Sequence, residues 1–230
     1  MRFAVPNALA IIPDGNRRWA KKHRLSILKG YSVGVNRFID FTTWCADYGI
    51  NSVTVWALSS ENLQRQKHEV NTLLNIYKRV ATDKKILKRL KDNQIKVNII
   101  ANKNVLPMDV IKALKNLEKE TMHYTKRVIN MLIGYGGRDD ILYAAKQLAL
   151  EGDPRKINED NFEKHLMSRK VPTIDFVIRT SGEERLSGFM PWQAGYAELY
   201  FSKKLWPDFT RNDLSVALAN YNKRDRRFGK

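Results

Sequence analysis

The most constraining stretch of this chain is Leu9-Ala10-Ile11-Ile12-Pro13-Asp14-Gly15-Asn16-Arg17-Arg18-Trp19-Ala20. An unbroken apolar run suits a strand buried on both faces, and Pro13 ends it because proline has no N–H for a ladder. Asp-Gly-Asn then supplies turn chemistry, and the amphipathic residues beyond it open a helix. Strand, sharp turn and helix N-terminus together gather free backbone N–H groups and the positive end of the helix dipole, both of which favour an anion. A carboxylate at Asp14 would repel a phosphate there unless a divalent cation lay between them, and Mg²⁺ commonly bridges one carboxylate to phosphate oxygens. The stretch therefore reads in two ways: a Mg²⁺–diphosphate site, or an ordinary turn in which Asp14 caps the helix.

The rest of the chain alternates helix and strand signals. Val35, Phe38, Ile39, Cys45 and Ala46 predict a helix over 32–48 with Gly49 as its C-cap, and 51–58 reads as a buried strand running into Ser59-Ser60-Glu61-Asn62. One long helix is expected over 67–91, then a strand at 95–100, a helix at 108–123 and a strand at 128–133 leading into Gly136-Gly137-Arg138. Helices over 139–150 and 159–167 precede a strand at 173–178 that ends in Arg179-Thr180-Ser181-Gly182; a short strand at 198–201 and a helix at 214–221 complete the series. There is no repeat, low-complexity tract or linker, so the expectation is one α/β domain over 1–230, with a parallel sheet covered on both faces.

In such sheets ligands bind beyond the carboxyl ends of the strands. Here those ends carry small, polar and cationic residues, and this convergence favours the metal–diphosphate reading over the plain turn. Arg17, Arg18, Arg65, Arg179 and Arg185 are the nearest cations; guanidinium forks meet phosphate oxygens bidentately, and several on one rim suit two diphosphates. Asp14 is one candidate metal ligand, and Glu198, in the last strand segment, is a second. No Walker A loop, zinc spacing or Gly-x-Ser-x-Gly elbow is present.

Charge narrows the partners. Lys and Arg number 41 against 24 Asp and Glu, a formal net charge of +17, which calls for an anionic partner: nucleic acid, anionic lipid or a phosphorylated substrate. No groove-reading helix or aromatic-interleaved module supports nucleic acid, so peripheral contact with an anionic membrane is the better expectation. One cysteine, Cys45, excludes a disulfide framework, and the N-terminal apolar run, interrupted by Pro6 and Asn7, does not read as a signal peptide. A cytoplasmic location follows as the expectation.

The blocks Ile12-Pro13-Asp14-Gly15-Asn16-x-Arg18-Trp19-Ala20, Ser59-Ser60-Glu61-Asn62 with Arg65, Asn130 through Gly136-Gly137-Arg138, Ile178-Arg179-Thr180-x-Gly182-Glu183, Arg185-x-Ser187, Trp192-Gln193-x-x-Tyr196-Ala197-Glu198-Leu199-Tyr200-Phe201, Trp206-Pro207-Asp208-Phe209 and Arg226-Arg227-Phe228-Gly229 stand in one order over nearly the whole chain. In that order and spacing they resemble the cis-prenyltransferase family of the undecaprenyl diphosphate synthase type. The resemblance implies a mostly parallel six-stranded sheet flanked by helices and a dimer. It implies condensation of isopentenyl diphosphate with an allylic prenyl diphosphate, farnesyl or geranylgeranyl, into a Z-polyprenyl diphosphate for a glycosyl carrier lipid.

The same resemblance implies residue roles. Asp14 would bind Mg²⁺ and assist departure of the allylic diphosphate, held by Gly15, Asn16, Arg17 and Arg18 with Trp19 and Tyr31 beside them. Ser59, Glu61 and Asn62 would lie near the reacting carbons, with Asn62 helping to remove the proton, and Ser60, Leu63 and Arg65 would also bind substrate. Arg179, Arg185, Leu186 and Ser187 would form the isopentenyl diphosphate site, and Glu198 would complete the metal site. Arg227 and Gly229 would reach into the partner subunit. Val70, Leu73, Leu74 and Tyr77 with Phe38 and Ile39 could together line an apolar tunnel, but they would look the same as core, and for any single one of them core is the favoured reading.

Several positions depart from the family pattern. Arg17 stands where bacterial members have Gly, and Ile12-Pro13 replaces Ile-Met; both resemble the archaeal branch. Tyr31 occupies the place of a His, Ile27 of an Arg, Leu63 of a Trp and Ser181 of a Gly. These changes leave open the primer, the product length, a short-chain or non-standard condensation, and a heteromer with a homologous subunit in which this chain is catalytic or accessory.

Overall fold

Five strand pairings, all parallel, join β1 (Ala8–Ile12), β2 (Ser52–Ser59), β3 (Ile95–Ala101), β4 (Arg127–Tyr135), β5 (Phe176–Arg179) and β6 (Glu198–Phe201) into one sheet of order β3-β4-β2-β1-β5-β6. This is a computed structural model, and it describes residues 4–224. The helices are α1 (Asn16–Lys22), α2 (Ile27–Asp47), α3 (Lys67–Thr82), α4 (Lys84–Asp92), α5 (Met108–Thr121), α6 (Gly137–Leu150), α7 (Glu159–His165) and α8 (Arg211–Asn222). The expected α/β class and six-stranded sheet are therefore what the chain forms, and the sheet is wholly parallel.

Strand side chains alternate between two cores, as the period of two dictates. Leu9, Ile11, Val53, Val55, Met131, Ile133, Phe176 and Ile178 pack with α2, α3, α5 and α8; Ala10, Ile12, Leu132 and Val177 face the other way onto Val171, Ile174, Phe189 and Met190. Because β1 is flanked by β2 on one side and β5 on the other, its carboxyl end lies where the chain's connections diverge, and ligands bind at such switch points. Asp14 is placed there by topology.

Three expectations about elements change. The helix expected over 67–91 is two helices: Asp83 leaves helical backbone at ψ 116°, and its carboxylate accepts the N–H groups of Lys85 (2.8 Å) and Ile86 (3.1 Å), so it caps a new helix instead of continuing the old one. The long helix of the first half starts earlier than its apolar pattern suggested, at Ile27, because Ser26 accepts the Lys29 N–H. The strand expected from 173 begins at Phe176; before it, the carboxylate of Asp175 accepts the Ala8 N–H at 3.0 Å.

Candidate active site

The turn after β1 is shaped by close approach. Gly15 has φ +107°, and a Cβ there would lie 2.9 Å from Leu205 Cδ2 and 3.0 Å from Ser181 Cβ, so only glycine fits. The Asp14 carbonyl is fixed twice, by the Trp206 N–H (3.0 Å) and the Thr180 hydroxyl (2.7 Å). Its carboxylate, about one-third exposed, accepts Arg179 Nη2 at 3.0 Å and faces Arg18 Nη2 at 3.6 Å. Arg179 is itself buried; Nη1 donates to Ser187 Oγ at 2.8 Å and to the Arg185 carbonyl, while its buried Nε has no partner among the described residues. Arg18 donates to the Ser181 carbonyl and hydroxyl and pairs with Glu183 at 3.1 Å. A carboxylate thus stands between two guanidinium groups at one rim, with a spare donor beside it.

A second cluster forms opposite, between α2 and α3. Glu69, buried on α3, accepts Arg65 Nη1 at 2.9 Å and the Tyr31 hydroxyl at 3.4 Å, and pairs with Arg17 Nε at 3.6 Å. Arg65 also donates to the Tyr31 oxygen at 2.9 Å. Burial raises the Tyr31 pKa, partly offset by Arg65, so its hydroxyl stays protonated at neutral pH. Sequence reasoning missed Glu69. A carboxylate one helical turn after Arg65 was the available signal, since i, i+4 pairs share a face.

Both clusters border a cavity of about 860 Å³. Its polar end is lined by Asp14, Gly15, Asn16, Arg17, Arg18, Tyr31, Ser59, Glu61, Asn62, Arg65, Arg179 and Ser187; its apolar end by Val35, Phe38, Val55, Leu73, Tyr77, Val80 and Met131. A smaller space of about 140 Å³ lies between α2 and the sheet, sharing Val35, Phe38, Val80 and Met131 as walls with the first. Of the expected apolar stripe, Phe38, Leu73 and Tyr77 line the first cavity and Ile39 the second, whereas Leu74 is core and Val70 packs against it.

A family model described as "Putative undecaprenyl diphosphate synthase" matches residues 12–229. The chain belongs to that family. It is 39% identical over 242 residues to an isoprenyl transferase of Thermus thermophilus, across 100% of this chain and 90% of the relative. It is 38% identical to a tritrans,polycis-undecaprenyl-diphosphate synthase (geranylgeranyl-diphosphate specific) of Methanopyrus kandleri, across 98% of this chain and 85% of that one. Bacterial and archaeal relatives match almost equally, so overall identity does not single out the archaeal branch. Among solved structures, lavandulyl diphosphate synthase from Lavandula x intermedia in complex with dimethylallyl diphosphate superposes with a TM-score of 0.92 at 38% identity, covering 98% of this chain and 99% of that one.

Against the undecaprenyl diphosphate synthase pattern, the placement of the remaining residues separates into those near the cavity and those turned from it. Trp19 is held elsewhere, its indole donating to Asp208 at 2.7 Å. Ser60 gives its N–H to Tyr135, Leu63 packs on the main core, and Leu186 packs on the core of the opposite face, so none of the three is a cavity wall. The Arg185 side chain is exposed, paired with Glu183 at 2.5 Å and not a cavity wall; its contact with the site is the backbone carbonyl that accepts Arg179. Gly137 permits a close approach, since a Cβ there would lie 2.2 Å from Pro191 and 2.3 Å from the Gly188 carbonyl, while one on Gly136 would meet Ser60 and Asp139. Asn130, buried in the sheet, joins Asn98 (2.8 Å) to Thr54 (3.2 Å) across three strands. Arg227 and Gly229 lie outside the described residues.

Glu198 lies apart from Asp14 within one chain. It is the first residue of β6, level with Phe176, whereas Arg179 is level with Ile12 at the far end. Three residues along the strands and two strands across put it roughly 14 Å or more from Asp14. Its carboxylate is paired with Arg224 at 2.5 Å. One chain therefore does not bring Glu198 and Asp14 to a common ion, and among the described residues no three His, Cys, Asp or Glu side chains converge. Asp14 still fits Mg²⁺, which is commonly held by one or two carboxylates plus substrate phosphates; the orphaned Arg179 Nε is a donor that a phosphate oxygen would satisfy.

Proposed function

We propose that the chain condenses isopentenyl diphosphate with farnesyl or geranylgeranyl diphosphate, as a Mg²⁺-dependent cis-prenyltransferase making Z-polyprenyl diphosphate for a glycosyl carrier lipid. The observation that carries this reading is Asp14 between Arg179 and Arg18 at the polar end of a cavity whose other end is apolar. An allylic diphosphate with its head at Gly15 to Arg18 and its chain between α2 and α3 uses both ends. Bound there, Mg²⁺ would neutralise charge on the departing diphosphate. Arg17, Arg18 and Arg65 hold that charge through fixed donors, which need not reorient as it develops. Arg179 and Ser187 orient the diphosphate of the second substrate, and Asn62, held by Ser59 at 2.8 Å, guides the proton lost as the new carbon–carbon bond forms. The apolar walls keep water from the allylic cation.

A homodimer in which Arg227 and Gly229 complete the partner's site is part of the proposal, as is a cytoplasmic enzyme resting on membrane; no helix among the described residues is long and apolar enough to cross one. The assay is transfer of labelled isopentenyl diphosphate to each primer with Mg²⁺ and detergent. Asp14→Ala is expected to lower transfer on the order of 10²- to 10³-fold, and chelation to abolish it until Mg²⁺ is restored. No product from the chain alone, with product on adding a homologous subunit, would replace the homodimer by a heteromer. Arg17 and Pro13 support an archaeal-type allylic site, and preference for geranylgeranyl over farnesyl diphosphate tests it. The likeness to lavandulyl diphosphate synthase supports a second reading, a short-chain or non-standard condensation, which chromatography of the dephosphorylated product separates from the first.

A further inference from the structure

Between Asp14 and Asp40 the chain has no acidic residue, while Arg17, Arg18, Lys21, Lys22, Arg24, Lys29 and Arg37 are all cationic. Three of these are paired: Arg17 with Glu69, Arg18 with Asp14 and Glu183, and Arg37 with Asp40. Lys21, Lys22, Arg24 and Lys29 have no acidic partner among the described residues and are exposed, as is the whole run from Lys21 to Ser26. In their midst stand Leu25, 42% exposed, and Leu28, 47% exposed.

This corner is held rather than loose. Arg24 turns the chain at φ +55°, the Leu25 N–H closes α1 on the Ala20 carbonyl at 2.9 Å, and Ser26 caps α2. Its leucines are thereby presented to solvent instead of folding back. The corner is also part of the cavity, since Lys21, Leu25 and Ile27 are among the walls. The other strongly basic element differs: Lys84, Lys85, Lys88 and Lys91 of α4 are exposed, but its Leu90 is buried and Lys88 is paired with Asp92.

We propose that residues 21–29 form a membrane-docking lip that seats the cavity on an anionic phospholipid bilayer. Lys22, Arg24 and Lys29 meet headgroup phosphates while Leu25 and Leu28 enter the interface. Paired basic and apolar groups are what an anionic interface rewards, because electrostatic attraction and apolar burial add. A nucleic acid would match the charge and leave the leucines in water. The proposal rests on the prenyl-transfer reading for what would cross the lip, an apolar chain passing between cavity and bilayer; the docking itself rests on the corner alone.

The test is flotation of the full chain, without substrate, with phosphatidylcholine vesicles carrying or lacking phosphatidylglycerol. Binding is expected only to the anionic vesicles and is expected to weaken with salt. K22Q/K29Q is expected to lower partitioning roughly ten- to thirty-fold, and L28S about ten-fold or more; none of these residues lines the cavity. K84Q/K85Q is the control on α4 and is expected to leave partitioning unchanged. Equal losses from the α4 and lip variants, no effect of L28S, or competition of an oligonucleotide with vesicles at L28S-insensitive affinity would each overturn the lip. Transfer in detergent by the lip variants is expected to stay within about two-fold of the parent. Vesicle binding without any prenyl product supports the docking and counts only against the proposed reaction; product in detergent without vesicle binding overturns the docking alone.

Discussion

At the residue scale, Glu69 is the most informative side chain outside the recognised blocks. It is a buried carboxylate with three neighbours, and two of them, Arg17 and Tyr31, are positions where this chain departs from the commoner family pattern. The substitutions are therefore not isolated: a guanidinium and a phenol are tied to one carboxylate already paired with Arg65. Glu69→Gln leaves Arg17 and Arg65 without that charge. It is expected to raise KM for the allylic diphosphate about ten-fold, the equivalent of roughly 1.4 kcal/mol, with Glu69→Asp recovering part of the loss and KM for isopentenyl diphosphate little changed. Equal effects on both substrates would show general loosening instead. Ser181 is the other departure with a physical account. It sits at φ +78°, where a non-glycine residue costs about 1–2 kcal/mol, and its hydroxyl accepts Arg18. Ser181→Gly is expected to hold or raise stability by up to about 1 kcal/mol in denaturant unfolding, while weakening diphosphate binding through a less constrained Arg18.

At the scale of elements, the site depends on α1 lying hard against α2. A Cβ on Gly30 would stand 2.7 Å from the Asn16 backbone carbonyl and 2.8 Å from Ala20 Cβ. Glycine to alanine inside a helix ordinarily stabilises by about 1 kcal/mol; here the sign reverses, because a backbone atom has to move. Gly30→Ala is expected to destabilise by roughly 1–3 kcal/mol and to lower transfer with it, since Asn16 opens the helix directly behind Asp14. Unchanged stability would mean the two helices slide apart freely. The α3–α4 break belongs to the same scale. Asp83 lets the second helix change direction, which brings Ile86 and Leu90 to the wall of the smaller cavity; an unbroken helix would keep one axis throughout.

At the scale of the whole molecule, burial that forms the cores also sets a pH limit. Burial raises the pKa of Tyr31, Tyr77 and Tyr135, each from an ordinary 10.0. Above that value the unfolded chain loses these protons before the folded one does, so the folded state binds more protons and stability falls as pH rises. The contribution is fully present below pH 10 and is lost above it as pH climbs through the raised values. Denaturant midpoints measured from pH 8 upward are expected to hold to about 10 and then decline, with Tyr31→Phe declining less steeply. A flat profile through that range would contradict the burial of these hydroxyls. The adjacency of the two cavities is likewise a property of the whole, since their shared walls come from α2, α3 and β4 together.

The alternation of apolar strands and amphipathic helices was enough to determine the α/β class, the parallel sheet and the rim that carries Asp14, because those follow from periodicity and from the chirality of strand–helix–strand units. The local chemistry of Pro13-Asp14-Gly15-Asn16 was legible too, since turn and helix start lie within one short stretch. What the tertiary structure decided were matters of long-range register. Glu198 and Asp14 share a sheet, yet β6 sets Glu198 level with Phe176, at the opposite end from Arg179. Gly137 reads as one more small residue at a strand end until Pro191 and Gly188 are found against it. Glu69 reads as one charge among many until α2 brings Tyr31 to it. Sequence spacing limits which residues can meet along one element, but only the packing of elements distant in the chain decides which of them do.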